Sequence, residues 1–201
     1  MIETWKKIIS SAISVVKEEH RQKLTDFIGG LECREKFHDF KFPLSTPVFC
    51  HGDYRVSNLL FRETNDRLDP IVVDYQTVHT GCPTEDLLYL EFMGTDQEFR
   101  RENHERLVDH YFTELAAALD RLGLDVNEVY PRETFDEELK AMMGPALRVT
   151  LVVLPLVLVE AGQAPNMGDA KEIKEFAISP SELFAERFSG IVSDCVRWGA
   201  I

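Results

Sequence analysis

The stretch His51-Gly52-Asp53-Tyr54-Arg55-Val56-Ser57-Asn58 sets an aspartate and an asparagine five positions apart, and the apolar run Ile71-Val72-Val73 delivers a second aspartate, Asp74. Two carboxylates and an amide carbonyl are oxygen donors, the kind of ligand that a hard cation such as magnesium takes. Phosphoryl transfer from ATP needs such a cation on the phosphates, and a carboxylate placed to accept the proton of the attacking hydroxyl. Little other covalent help is required of the protein.

Each of these residues has an ordinary reading when taken singly. Asp53 after a glycine is a turn former, Asn58 is a common turn residue, and Asp74 at the end of an apolar strand can cap a helix or begin a loop. His51 is read as a packed, hydrogen-bonded support for the segment, with no catalytic part. Together they are harder to dismiss, because His-x-Asp-x-x-x-x-Asn arises by chance in roughly one chain in a hundred of this length. The step from Asp53 to Asn58 is that of a kinase catalytic loop, in which the first residue is the base and the second a metal ligand.

The elements around these residues follow from periodicity. Pro47 to Cys50, Leu59 to Phe61 and Ile71 to Val73 read as short buried strands, with Asn65-Asp66-Arg67 turning the chain between the last two. Trp5, Ile8, Ile9, Ala12, Ile13 and Val16 share one face of a helix predicted over 2–28 and ended by Gly29-Gly30. After Pro83 the pattern is helical: 85–92, 97–122, 134–143, 146–159 and 181–198. Thr84, Thr95-Asp96 and Gly123 stand where caps belong, and 162–168 is the clearest loop. The fold class expected is α+β and mostly helical, a single domain over 1–201. It comprises an N-terminal helix and connection (1–46), a catalytic and metal-binding segment (47–92) and a helical part (93–201).

Composition narrows the partners. With 22 Lys and Arg against 35 Asp and Glu, the net charge of −13 repels polyanions, so nucleic acid is not expected. Cys33, Cys50, Cys82 and Cys195 form no Cys-x-x-Cys pair, which fits reduced thiols in a cytoplasmic protein. The start of the chain lacks a secretion pattern. The greasiest run, 149–159, contains Thr150 and Pro155 and is shorter than the roughly 20 residues of a membrane span, so it reads as a core helix kinked or stopped near Pro155.

From Val48 to Phe92 the sequence resembles the choline kinase-like and ecdysteroid kinase-like phosphotransferases, relatives of the aminoglycoside phosphotransferases and of protein kinases. The resemblance rests on Phe49-Cys50-His51-Gly52-Asp53, Ser57-Asn58-Leu59-Leu60-Phe61, Val72-Val73-Asp74-Tyr75-Gln76, Gly81-Cys82-Pro83 and Asp86-Leu87-Leu88-Tyr89-Leu90. It continues through Tyr111-Phe112, Leu122-Gly123-Leu124, Tyr130-Pro131 and Trp198-Gly199-Ala200-Ile201. It implies Asp53 as catalytic base, Asn58 and Asp74 as magnesium ligands, ATP as cofactor, and a small hydroxyl compound such as a steroid or an amino alcohol as acceptor. It also implies that Asp86 braces the catalytic loop, while capping and the helix dipole explain a helix-start aspartate equally well.

A phosphate-covering Gly-x-Gly-x-x-Gly and its partner lysine strand are not found in the sequence. The chain therefore reads as the C-terminal lobe of a protein kinase-like fold with the nucleotide lobe absent, a truncated or shortened form to be completed by a missing lobe or partner chain. The alternative is a non-catalytic pseudokinase or interaction fragment. A two-metal hydrolase built on His51, Asp53 and Asp74 is disfavoured, because 54–56 adds no further ligand.

Overall fold

The computed structural model describes residues 2–29, 43–65, 67–159 and 181–201, so Cys33 and the loop expected at 162–168 lie outside the described residues. In chain order the helices are α1 (Ile2–Val15), α2 (Glu18–Ile28), α3 (Glu85–Gly94), α4 (Gln97–Arg121), α5 (Val126–Val129), α6 (Arg132–Val157) and α7 (Glu182–Arg197). The strands are β1 (Val48–Cys50), β2 (Leu59–Thr64), β3 (Arg67–Val72) and β4 (His79–Gly81). The result is mostly helical with small antiparallel sheets, the α+β class expected. The chain forms two compact units, Met1–Asp39 with Met143–Ile201, and Phe40–Met142.

In the first unit α1, α2 and α7 pack on one another. The single helix expected over 2–28 is broken at Val16 and Lys17. Arg21 donates from Nε to the Val16 carbonyl at 3.0 Å and from Nη2 to that of Ser14 at 3.2 Å, while Glu18 and Glu19 complement the start of α2. Ala12, Val16, Leu24 and Ile28 are buried, as are Phe184, Phe188, Ile191, Val192 and Cys195 at helical spacing on α7. Ser181 Oγ caps α7 by accepting the Phe184 amide at 3.1 Å.

The break expected between 143 and 146 does not occur, and α6 runs through Gly144-Pro145 and past Pro155. A proline inside a helix costs about 3 kcal/mol. Met142, Met143, Ala146, Leu147, Leu151 and Leu154 are all buried, and a large apolar side chain contributes roughly 1.5–3 kcal/mol when buried, so burial outweighs the prolines. Residues 149–157 of that run thus belong to a 26-residue helix, long and apolar enough to cross a membrane by length and composition. Half of its most apolar window is buried inside the protein.

The second unit holds both sheets. In β1–β4 the partners are Val48↔Gly81, Phe49↔Thr80 and Cys50↔His79; in β2–β3 they run from Leu59↔Val72 to Thr64↔Arg67. Leu87, Leu88, Tyr89, Phe92, Val108, Tyr130, Phe135 and Leu139 form buried apolar positions of this unit, with the Tyr111 and Phe135 rings stacked at 5.6 Å. Asp96 caps α4 through the Phe99 amide at 2.7 Å, and Gly123 follows that helix at φ 74°. Thr84 precedes α3 without a capping bond; its hydroxyl lies 3.3 Å from Cys82 Sγ.

Candidate active site

The loop after β1 begins at His51, and its backbone is held from three sides. Asp86, in the first turn of α3, accepts the His51 amide at 2.7 Å through Oδ2 and the Gly52 amide at 3.0 Å through Oδ1. Thr77 Oγ1 donates to the His51 carbonyl at 2.8 Å. The His51 ring spans inward: Nδ1 accepts the Asp53 amide at 3.3 Å, so Nε2 carries the hydrogen that reaches the Val73 carbonyl at 2.9 Å. One imidazole thereby ties the loop to the residue before Asp74.

Asp53 is 20% exposed at its side chain, enough to meet a substrate. Its Oδ1 accepts from Tyr89 at 2.8 Å, and its Oδ2 accepts from Arg55 Nε and Asn58 Nδ2, both at 3.1 Å. Asn58 Nδ2 also donates to the Asp53 carbonyl at 2.9 Å. Because only nitrogen can donate to both oxygens, the orientation of the Asn58 amide is fixed, and Oδ1 is its accepting atom. Hydrogen bonding to Asp53 and burial together raise the Tyr89 phenol above its ordinary range, burial contributing most, so Tyr89 is held as a donor.

Asn58 closes the short 3-10 turn of 56–58, and its carbonyl accepts the Val73 amide at 3.0 Å, extending the β2–β3 ladder by one pair. Asp74 is next in line, exposed, and left-handed at φ 67°, ψ 59°. A non-glycine residue there carries strain of order 1–3 kcal/mol, a cost that clusters at functional positions. Its Oδ2 accepts a long 3.4 Å contact from Gln76 and no bond from Asp53 or Asn58. The structure thus couples Asp53 directly to Asn58 and brings Asp74 to the same strand end through the backbone.

Among the described residues no three His, Cys, Asp or Glu side chains cluster as a metal cage. The oxygens present, one amide carbonyl and one exposed carboxylate, fit magnesium, which keeps several waters and shares substrate phosphates. Tyr89, Arg55, Thr77 and His79 are site residues not singled out from the sequence. Tyr89 alone had a signal, since it lies three positions after Asp86 on the same helix face.

The profile of the ecdysteroid kinase-like family matches residues 3–124, more than half of the chain and the whole of this loop. The chain belongs to the ecdysteroid kinase-like family. An uncharacterized kinase-like protein of Caenorhabditis elegans is 32% identical over 66 residues, 33% of this chain and 17% of the relative. The chain thus spans less than a fifth of that relative's length in the match. No solved structure matches the chain significantly. Membership in the ecdysteroid kinase-like family makes a kinase-like phosphotransferase the class to which the site is compared.

Proposed function

We propose that the chain is the C-terminal lobe of a protein kinase-like enzyme that transfers the terminal phosphoryl group of magnesium-bound ATP to the hydroxyl of a small molecule, a steroid or amino alcohol. The supporting observation is the bonded pair of Asp53 and Asn58 at 3.1 Å, backbone-linked to the residue preceding Asp74. Asp53 acts as the base: Oδ1 engages Tyr89 with one lone pair and keeps a second for the acceptor hydroxyl. Arg55 and Tyr89 fix its rotamer before substrate arrives, so little reorganisation is left for the reaction. Asn58 and Asp74 would hold magnesium, which when bound would neutralise charge on the phosphates. The remaining wall of the nucleotide cleft is supplied by a further lobe or partner chain. Buried free thiols at Cys50, Cys82 and Cys195 favour a reducing, cytoplasmic setting.

A second reading is favoured by the exposed apolar side chains between residues 44 and 78, among them Leu44, Phe49, Val56, Leu60, Phe61, Leu68 and Ile71, with Phe49 87% exposed. Such a surface marks an interaction site in a non-catalytic fragment. Titration calorimetry of the chain with magnesium and ATP separates the two. Binding that vanishes in Asp74→Ala supports the enzyme; binding in neither protein favours a truncated or non-catalytic chain.

A further inference from the structure

His79 sits on β4 opposite Cys50 of β1, one residue before the loop. Both of its ring nitrogens face acceptors. Nδ1 lies 3.0 Å from the Thr77 carbonyl, and Nε2 lies 3.1 Å from each carboxylate oxygen of Glu85. A carbonyl and an ionised carboxylate can only accept, so both bonds are made only when both nitrogens carry hydrogen. Glu85 is 1% exposed, and a carboxylate buried that deeply stays ionised only beside a hydrogen-bonding cation, the place that His79 fills.

The same ring forms the surface against which Gly52 is seated. A Cβ at Gly52 would lie 2.8 Å from His79 Nδ1 and 2.7 Å from the Thr77 carbonyl oxygen, and Gly52 has φ +78°. Thr77 is in turn the residue whose hydroxyl holds the His51 carbonyl at 2.8 Å. Adjacent acids of α3 therefore grip the loop by different routes. Asp86 takes its amides directly, while Glu85 acts through His79 and Thr77.

We infer that His79 is a positioning residue, a two-way hydrogen donor paired with Glu85 that fixes Thr77 and the Gly52 turn and so sets the placement of Asp53. The titratable groups placed beside it are Glu85 of α3 and Cys50 of β1. A substitute must donate in two directions to do the same work. Arginine can; glutamine, whose amide donates at one end and accepts at the other, cannot. The functional consequence rests on the reading of 51–58 as a catalytic loop, but the geometry does not.

The test uses the whole chain. Proton–nitrogen spectra of the wild type are expected to show both His79 ring nitrogens protonated; a ring with one bare nitrogen overturns the proposal without any variant. In His79→Gln the loss of the His79–Glu85 pair should let the Gly52 turn open away from Asp86, so that the Gly52 amide exchanges with solvent roughly 10- to 100-fold faster, and in His79→Arg it should stay near the wild-type rate. Unchanged Gly52 exchange in His79→Gln sinks the proposal. Magnesium–ATP calorimetry on the same proteins keeps the two questions apart. If the wild type binds no nucleotide, the chain is not an enzyme by itself, while the spectra still decide the role of His79.

Discussion

Asp86 accepts the backbone amide of His51 at 2.7 Å across 35 positions of sequence, and the neighbouring Gly52 amide at 3.0 Å with its other oxygen. Both carboxylate oxygens of this α3 residue bond the loop. An amide left unpaired in a partly buried loop costs roughly 1–3 kcal/mol, so Asp86→Ala should lower unfolding stability by about 2–4 kcal/mol. Asp86→Asn keeps one acceptor oxygen and should fall between. Urea midpoints in the order wild type, Asn, Ala are the expected result, and equal midpoints for the two variants would show that a single acceptor oxygen holds nothing by itself.

Gly52 and Gly123 both occupy the left-handed region, at φ 78° and 74°, but only Gly52 is hemmed in. Nothing lies within 4 Å of a Cβ at Gly123, whereas at Gly52 the Thr77 carbonyl oxygen would be 2.7 Å away. Gly123→Ala should therefore cost about 1–2 kcal/mol, the left-handed penalty alone. Gly52→Ala adds a backbone clash and should cost clearly more. Thermal unfolding of the two variants side by side checks the ranking.

The sequence carried those parts of the site that depend on local spacing. Asp53 and Asn58 are five residues apart in one turn, and strand periodicity placed Asp74 at the end of β3. Parts that depend on pairing between distant segments were not legible. β4 is three residues long, too short for a periodic pattern, yet it brings His79 to Cys50 and Thr77 to His51. The helix break predicted at Gly144-Pro145 failed because propensity weighs one residue, while burial of Met142, Met143, Ala146 and Leu147 acts on the whole segment. The opposite error occurred near Val16, where Arg21 satisfies the carbonyls of an interruption that apolar periodicity does not reveal.

Alkaline pH should destabilise the chain with a definite sign. Burial, followed by the charges of Glu85 and Asp86, pushes the Cys50 thiol from 9.0 up to about 12. Burial is also the leading cause that raises Tyr111 to about 12 and raises Tyr89. Between these values and those of the unfolded chain, the folded state holds protons that the unfolded state has released. Stability is then fully present below about pH 9 and is lost as pH climbs toward 12. Melting temperature should be level with respect to these groups up to about pH 9 and fall beyond it, with a shallower fall in Tyr89→Phe; a rise above pH 9 would contradict the assignment.

The exposed apolar surface of 44–78 makes a prediction that separates folding from association. Phe49 and Leu60 contribute little to the core of this unit, since both side chains stand largely in solvent. Replacing each by threonine keeps strand propensity and removes apolar area, so stability should shift by no more than about 0.5 kcal/mol, the usual range for surface changes. An interaction surface should nonetheless weaken. Binding of an apolar dye, and any concentration-dependent self-association seen by sedimentation, should both fall in the double variant while the urea midpoint holds. If the midpoint collapses, these side chains support the fold; if dye binding is unchanged, the apolar surface is not where association occurs.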